Sequence, residues 1–241
     1  MNVYLITGVS KGIGFELAKQ LTGAGHLVIG IARTESELDG MKFIKADLSK
    51  TEKLESLINE ILEAAPEEAS SFTLINNAGM VNPIGLIGYV SAEEMTNALA
   101  VNLTAPMIIS NAFISKLKAF QGSKRIFNIS SGAGRNAYEG WGTYCATKAG
   151  LDHFSRVVAL EQLKAMNPVE VVSIAPGIID TGMQKVIRAS NEDAFPLLER
   201  FIDYKEQGLL SSAEQTARKL ISFIENVNFK EVGPIVDIRN F

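Results

Sequence analysis

Tyr144 and Lys148, in the run Gly142-Thr-Tyr-Cys-Ala-Thr-Lys148, are the residues of this chain best suited to chemistry. Four residues apart inside a helical pattern, they lie on one helix face. An ammonium beside a phenol stabilises the phenolate, so Lys148 is expected to draw the Tyr144 pKa down from about 10 toward working pH. Such a group can give a proton to a carbonyl or take one from an alcohol. A tyrosine and a lysine at this spacing also occur on ordinary solvated helix faces. The pair gains meaning only from the elements around it.

Those elements alternate. Short apolar runs at 3–7, 27–31, 43–46, 72–76, 125–130, 169–175 and 234–238 read as strands. Amphipathic stretches at about 12–24, 51–64, 92–119, 142–166 and 211–226 read as helices. Strands alternating with helices predict an α/β fold, a doubly wound, mostly parallel, Rossmann-like sheet in one domain spanning 1–241. Ligands of such sheets sit beyond the carboxyl ends of the strands. The stretch 178–210 interrupts the path from a strand to the next helix with amphipathic, aromatic-bearing sequence, and is expected to form a small helical substrate lid.

Composition excludes several classes. The chain has 241 residues, 46% of them hydrophobic, enough for a full core. The net charge of -4 comes from interspersed charges, with no Lys/Arg run to suggest nucleic acid or a membrane surface. The single cysteine, Cys145, forbids an internal disulfide and fits a reducing, cytoplasmic setting. Beside Tyr144 and without a paired histidine, it is expected to be a small buried helix residue rather than a nucleophile. The N-terminus has no basic n-region. No apolar stretch is expected to reach the ~20 residues of a membrane helix. His26 and His153 lie far apart in sequence without ligand spacing, so no metal site is expected.

Thr7-Gly-Val-Ser-Lys-Gly-Ile-Gly14 follows the first strand and opens the first helix. Gly8, Gly12 and Gly14 permit a tight turn and close approach to a pyrophosphate. The helix start adds unpaired N–H groups and a positive dipole end. Ser10, Lys11 and Ile13 fall within the same turn. The spacing lacks the lysine-Ser/Thr of a P-loop ATPase. After the second strand the chain reads Ala32-Arg33-Thr34, with no carboxylate to accept from a ribose 2′-OH. Arg33, with Lys11 as a second cation, favours NADP(H) over NAD(H).

The glycine turn, the Asn76-Asn-Ala-Gly79 run and the Tyr/Lys pair, in that order, resemble the short-chain dehydrogenase/reductase family along essentially the whole chain. The resemblance implies that Tyr144 is the general acid/base. Lys148 would hold the nicotinamide ribose and lower the tyrosine pKa. Ser131, ending Asn128-Ile-Ser-Ser131, would polarise the substrate, ahead of its neighbour Ser130. Asn102, in Val101-Asn-Leu-Thr104, would hold a water in a proton relay. Asp47 and Leu48 would lie beside the adenine, and Asn77, Ala78 and Gly79 would line the cofactor cleft. Pro176, Gly177, Ile179 and Thr181 would clasp the carboxamide and pyrophosphate. Family relatives pack as homodimers or tetramers through the helices corresponding to 92–119 and 142–166, so a homodimer is expected.

Within that family, Ser130-Ser-Gly-Ala-Gly134, Tyr138-Glu-Gly-Trp-Gly-Thr-Tyr144, Asp180-Thr-Gly-Met-Gln184 and Arg200-Phe-Ile-Asp203 are similar to the branch of bacterial benzil reductases and sepiapterin reductase-like members. That resemblance implies NADPH-dependent reduction of a dicarbonyl. The substrate would be an aromatic 1,2-diketone, with a pterin side chain or another ketone as the alternative. Tyr138, Trp141, Met183 and Ile187, with Met80, Val81, Phe195, Leu198 and Phe201, are candidates for a flat, apolar pocket. Leu198 and Phe201, with Ile202 at helical spacing, could equally dock the lid on the core. A pterin would also want a buried acid, for which Asp180 and Asp203 are candidates. A non-catalytic NADP-sensing regulator on the same fold is the alternative class. It is disfavoured because Asn102, Ser131, Tyr144 and Lys148 are all present.

Overall fold

The computed structural model describes all residues 1–241. The first strand, β1 (Asn2–Thr7), has five of its six residues buried. A strand covered on both faces reads as a continuous apolar run and belongs in the middle of a parallel sheet. Around it lie β2 (Leu27–Ala32), β3 (Lys42–Lys45), β4 (Ser71–Asn76), β5 (Ser123–Ile129), β6 (Glu170–Ala175) and β7 (Ile235–Asp237). The order is β3-β2-β1-β4-β5-β6-β7, and every neighbouring pair is parallel. The expected mostly parallel sheet is therefore wholly parallel. Strand order reverses between β1 and β4, which opens a crevice beyond Thr7 and Asn76.

The helices are α1 (Gly12–Gly23), α2 (Leu54–Glu63), α3 (Ala92–Leu99), α4 (Ala105–Lys116), α5 (Gly142–Gln162), α6 (Gly182–Arg188), α7 (Leu198–Glu206), α8 (Ala213–Asn226) and α9 (Phe229–Val232). Leu17, Leu21, Leu220 and Phe223 bury α1 and α8 on one face of the sheet. Ile58, Ile109, Phe113 and Val158 bury α2, α4 and α5 on the other. The start of α8 is fixed by a capping box, in which Ser212 accepts from Gln215 N and the Gln215 side chain accepts from Ser212 N. Helices α6 and α7 form the inserted lid. Its base is clipped by Asp180 N donating to Ser211 O at 2.9 Å and Ser211 N donating to Ile178 O at 3.0 Å.

α3 runs into α4 through one π turn, Ala100–Thr104. The sequence supplies a cause. Pro106 has no N–H, so it cannot donate to the Asn102 carbonyl as α-helical geometry would require. The backbone widens there instead, with Ala105 N donating to Ala100 O. The whole helix Ala92–Lys116 also corrects an expectation. Its most apolar 18-residue window has a mean hydropathy of 1.5, long and apolar enough by length and composition to cross a bilayer. The physical reason is different here: Ala105, Ile109, Ala112 and Phe113 press it into the sheet core.

A buried polar chain ties four elements together on one side of the crevice. Asn76 Nδ2 on β4 donates to Ser110 Oγ on α4 at 3.1 Å and to Asn128 Oδ1 on β5 at 2.8 Å. Asn128 Nδ2 donates to Ser155 Oγ on α5 at 2.9 Å, and Ser155 donates on to Leu151 O at 2.8 Å. All four side chains are buried. Replacing Asn128 by alanine leaves Asn76 and Ser155 with unpaired groups, at about 1–3 kcal/mol for each group stranded. Asn128→Ala is therefore expected to lower the unfolding free energy by about 3 kcal/mol in urea titrations. A loss below about 0.5 kcal/mol, the range of neutral surface changes, would show that the chain contributes nothing to stability.

Candidate active site

The glycine turn is built for close contact. Gly8 has φ +76°, and a Cβ there would lie 2.8 Å from Ala78 Cα. A Cβ on Gly14 would lie 2.3 Å from both Asn77 Nδ2 and the Gly8 carbonyl. Asn77 locks the turn from the next strand, donating through Nδ2 to Thr7 O at 2.9 Å and Gly8 O at 3.2 Å. Thr7 Oγ1 in turn accepts from Asn77 N and Ala78 N, each at 3.0 Å. The ends of β1 and β4 are thereby one rigid rim.

A cleft of about 540 Å³ runs from this rim to the lid. Gly8, Ser10, Lys11, Gly12 and Ile13 line one end, with Arg33, Thr34, Asp47 and Leu48 beyond them. Asn77, Ala78, Gly79, Pro176, Gly177, Ile179 and Thr181 form the walls, as expected. Gly14 is an exception. It lies behind the lining, and its part is to let α1 pack against Asn77 and Gly8. Lys11 lines the cleft as expected. Its ammonium lies 3.7 Å from where a Gly182 Cβ would stand, so the helix start of α6 is its neighbour. Asp47 is fastened by Ser49 N at 3.0 Å and Ser49 Oγ at 2.9 Å, and these bonds, the backbone one foremost, hold its carboxyl below the usual range.

At the other end Ser131, Tyr144 and Lys148 converge on the cleft. Ser131 leaves β5 and caps the 3₁₀ turn Gly132–Gly134, its Oγ accepting from Ala133 N at 3.1 Å. Lys148 Nζ donates to Ile129 O at 2.8 Å and lies 5.8 Å from the centre of the Tyr144 ring. Burial pushes the Lys148 ammonium down to about 8, with the Asp152 charge acting against that fall. Burial pushes the Tyr144 phenol up to about 12, with the Ser131 hydroxyl acting against that rise. This overturns the expected depression of the tyrosine. Removing the phenolate from water outweighs a lysine whose own charge is weakened by the same burial.

Asn102 does not line the cleft. It is buried in the π turn, where Oδ1 accepts from Met80 N at 2.9 Å and Nδ2 donates to Met80 O at 2.8 Å. A weaker bond to Thr147 Oγ1 at 3.3 Å reaches α5. Its side chain thus braces the segment after Gly79, and Asn97 and Val101 line the cleft from that helix. Ser130 also lines it, with a buried hydroxyl that has no hydrogen-bond partner.

Tyr138, Trp141, Met183 and Ile187 line the substrate end, together with Met80, Val81 and Phe201. Phe195 and Leu198 do not. Phe195 stacks on Trp141 at 4.8 Å, Phe201 meets the same ring edge-on at 5.1 Å, and all three belong to the apolar cluster that seats the lid. Asp180 is held by Lys205 at 2.5 Å and Arg188 at 3.6 Å, and neither it nor Asp203 lines the cleft. Besides Asp47, the acid that lines the cleft is Asp237, accompanied by Arg200, Tyr204 and Arg239. Sequence reasoning missed these four. Asp237 ends the last strand and Arg239 follows it, where the topology rule places ligand contacts, and that was the signal available. Cys145 is half-buried, with its thiol 3.7 Å from Asn136 O.

A parallel sheet, a glycine-rimmed crevice at its switch point and a Ser/Tyr/Lys cluster at one end define an oxidoreductase of the nicotinamide-dependent kind. A model described as short chain dehydrogenase matches residues 2–192, and the chain belongs to that family. It is 40% identical over 244 residues to a benzil reductase ((S)-benzoin forming) of Bacillus subtilis strain 168, covering 100% of both chains. It is 31% identical to the sepiapterin reductase of Rattus norvegicus, covering 98% of this chain and 95% of that one. A crystal structure of a short-chain dehydrogenase/reductase from Saccharomyces cerevisiae matches the fold with a TM-score of 0.85, at 24% identity, covering 99% and 96% of the two chains.

The residues present fit a dinucleotide, because the Gly8 and Gly14 positions leave no room for a Cβ beside the rim. Gly14→Ala forces that rim apart at a cost of about 1–3 kcal/mol, which is up to about a hundredfold in affinity if it falls on the bound state. The expected outcome is a lowered melting temperature and loss of most of the thermal shift that a nicotinamide dinucleotide gives the wild type. An unchanged shift would show that Gly14 packing does not shape the cofactor site.

Proposed function

We propose that this protein is an NADPH-dependent carbonyl reductase acting on aromatic 1,2-diketones of the benzil type. The observation that carries the reading is the meeting of Ser131 and Tyr144 with an apolar, aromatic-lined pocket at one end of the cleft. Full-length similarity to a benzil reductase supports it.

Bound NADPH would supply the hydride. The chain's residues handle the oxygen and its proton. Hydroxyls of Ser131 and Tyr144 meet the carbonyl oxygen as negative charge grows on it. Tyr144, with a pKa of about 12, is fully protonated at neutral pH and gives up its phenolic proton. The Lys148 ammonium then stabilises the phenolate left behind. Asn102 keeps the Met80 backbone in place through its paired bonds, so the wall between Gly79 and the substrate end stays fixed. The lid and Trp141 cover the reacting groups, and fewer waters compete for them.

Arg33 and Thr34 line the cleft at the end of β2, where a carboxylate would be needed to accept from a ribose 2′-OH, and so favour a 2′-phosphate and therefore NADPH. For the substrate, Asp237 counts against a pterin. Arg239 engages it through Nε at 2.8 Å and Nη2 at 2.6 Å, leaving it a poor acceptor for an amino-pyrimidine. A non-catalytic cofactor sensor would have no need of the complete set Asn102, Ser131, Tyr144 and Lys148. A homodimer is also proposed. Met107, Val157, Leu160, Leu163 and Met166 are exposed on or just beyond α4 and α5, an apolar face that a second copy would cover. Light scattering is expected to give twice the chain mass; a monomer at micromolar concentration would refute it.

With benzil or 1-phenyl-1,2-propanedione as acceptor, nicotinamide absorbance is expected to fall rapidly with NADPH and at least about tenfold more slowly with NADH. Turnover should decline as pH rises through about 8, where Lys148 loses its charge. Tyr144→Phe should cut kcat by about 10²–10⁴. Tyr144→Phe retaining most of the rate, or a wild type that binds NADPH yet leaves both diketones untouched, would overturn the reading.

A further inference from the structure

One carboxylate in the core around α5 lies outside the cleft lining. Asp152 is 2% exposed and follows Lys148 by one helical turn. Its Oδ1 accepts from Ser173 Oγ on β6 at 2.7 Å. Its Oδ2 accepts from Arg135 Nε at 3.2 Å. Arg135 ends the 3₁₀ turn that begins at Ser131, and its Nη2 donates to Val236 O on β7 at 2.8 Å. That turn is pressed onto α5: a Cβ on Gly134 would lie 2.9 Å from the Lys148 backbone and 3.1 Å from Asp152 Oδ2. One carboxylate therefore joins the helix that carries Tyr144 and Lys148 to the turn that carries Ser131.

Stability alone is a weak reason for such a pair. Burying two charges costs about as much as their attraction returns, and apolar side chains of similar volume often do as well. We propose that Asp152 is a positioning residue of the reaction, which clamps the Ser131 turn onto α5 through Arg135 and sets an anion one helical turn from Lys148. The inference rests on the roles given above to Ser131, Tyr144 and Lys148. Burial lowers Lys148 to about 8, and the Asp152 charge works in the opposite direction.

The groups facing Lys148 and Asp152 are few. α5 itself supplies Tyr144. The turn after β5 supplies Arg135 and the uncharged Ser130 and Ser131. β6 supplies Ser173, and the π turn supplies the uncharged Asn102. On β7, Asp237 feels the charge of Arg135 and is paired with Arg239. Charge thus alternates from Lys148 through Asp152, Arg135 and Asp237 to Arg239 at the cleft.

The test uses the full chain with Asp152→Asn and Arg135→Gln. Cofactor dissociation constants are measured by fluorescence from pH 6 to 10, and kcat is measured with benzil. In the wild type, binding should weaken above about pH 8 as Lys148 deprotonates. Asp152→Asn removes the anion that raises the lysine pKa, so that limb should move down by roughly one pH unit. Arg135→Gln keeps the Asp152 charge but frees the turn. It should lower kcat by about tenfold or more, leaving cofactor affinity at pH 7 within about twofold.

A folded Asp152→Asn with an unmoved limb overturns the proposal, whatever its kcat. If Asp152→Asn does not fold, Arg135→Gln decides, and wild-type kcat there overturns it. NADPH and NADH are both titrated. A preference for NADH would refute the cofactor reading and leave the Asp152 comparison intact. A wild type that binds cofactor but ignores benzil would refute the substrate reading alone, and the binding arm would still decide the role of Asp152.

Discussion

A lysine only 4% exposed has to hold its charge with little help from water, and the rest of the site is arranged around that constraint. Lys148 Nζ has one carbonyl partner, Ile129 O at the end of β5. That bond exists because β5 stops there and its last carbonyl has no strand partner to take it up. The position of Lys148 is therefore set by where a strand ends, and the position of Tyr144 by the helical turn that separates it from Lys148. The strand end is in turn held by the Asn76–Asn128–Ser155 chain, which fixes β4, β5 and α5 against one another. Moving β5 by an ångström would carry the Ile129 carbonyl away from the Lys148 ammonium.

The same burial acts on the two titrating groups in opposite senses. It raises the phenol and lowers the ammonium, so the bare site holds its proton firmly on Tyr144. For a reductase this is a useful resting state, since the tyrosine must begin as the acid. The cost falls on the phenolate formed later, and there the nearby cation has its effect. Trp141 belongs to the same arrangement. It is edge-on to Tyr144 at 5.5 Å and stacked on Phe195 of the lid, so the aromatic packing that seats the lid also removes Tyr144 from water. Lid docking and proton affinity are one physical variable at this site.

Much of this was legible in the sequence. All seven strands lie within two residues of their expected positions, because the strands of a parallel sheet read as short apolar runs, most of them buried. The glycine turn, Asn77-Ala-Gly79 and the Tyr144/Lys148 pair announce themselves by backbone or helical spacing. Illegible were the features that depend on what meets what. The Tyr144 shift has the wrong sign when read from its neighbour Lys148 alone, since desolvation depends on the whole lid. Gly14 and Asn102 belong to the right motifs but act from behind the cleft wall. Asp237 and Arg239, near the far end of the chain, reach the site only because β7 is parallel to β6.

The two ends of the cleft are held by different physics, and this bears on how family members diverge. The cofactor end is held by absent side chains: Gly8 and Gly14 sit where any Cβ would strike backbone or Asn77. Such a site tolerates almost no change, since each added atom displaces the rim. The substrate end is held by large side chains of the lid, which pack against Trp141. Aromatic and aliphatic residues there can exchange volume at a cost of a kcal/mol or so, roughly, without disturbing the sheet. Arg239 shows how far one residue can go. Its bidentate grip on Asp237 turns the one acid at that end from an open acceptor into an occupied one. A chain could keep every strand, the glycine rim and the Ser/Tyr/Lys cluster and still take a different carbonyl compound, by changing only what pairs with Asp237 and what packs on Trp141.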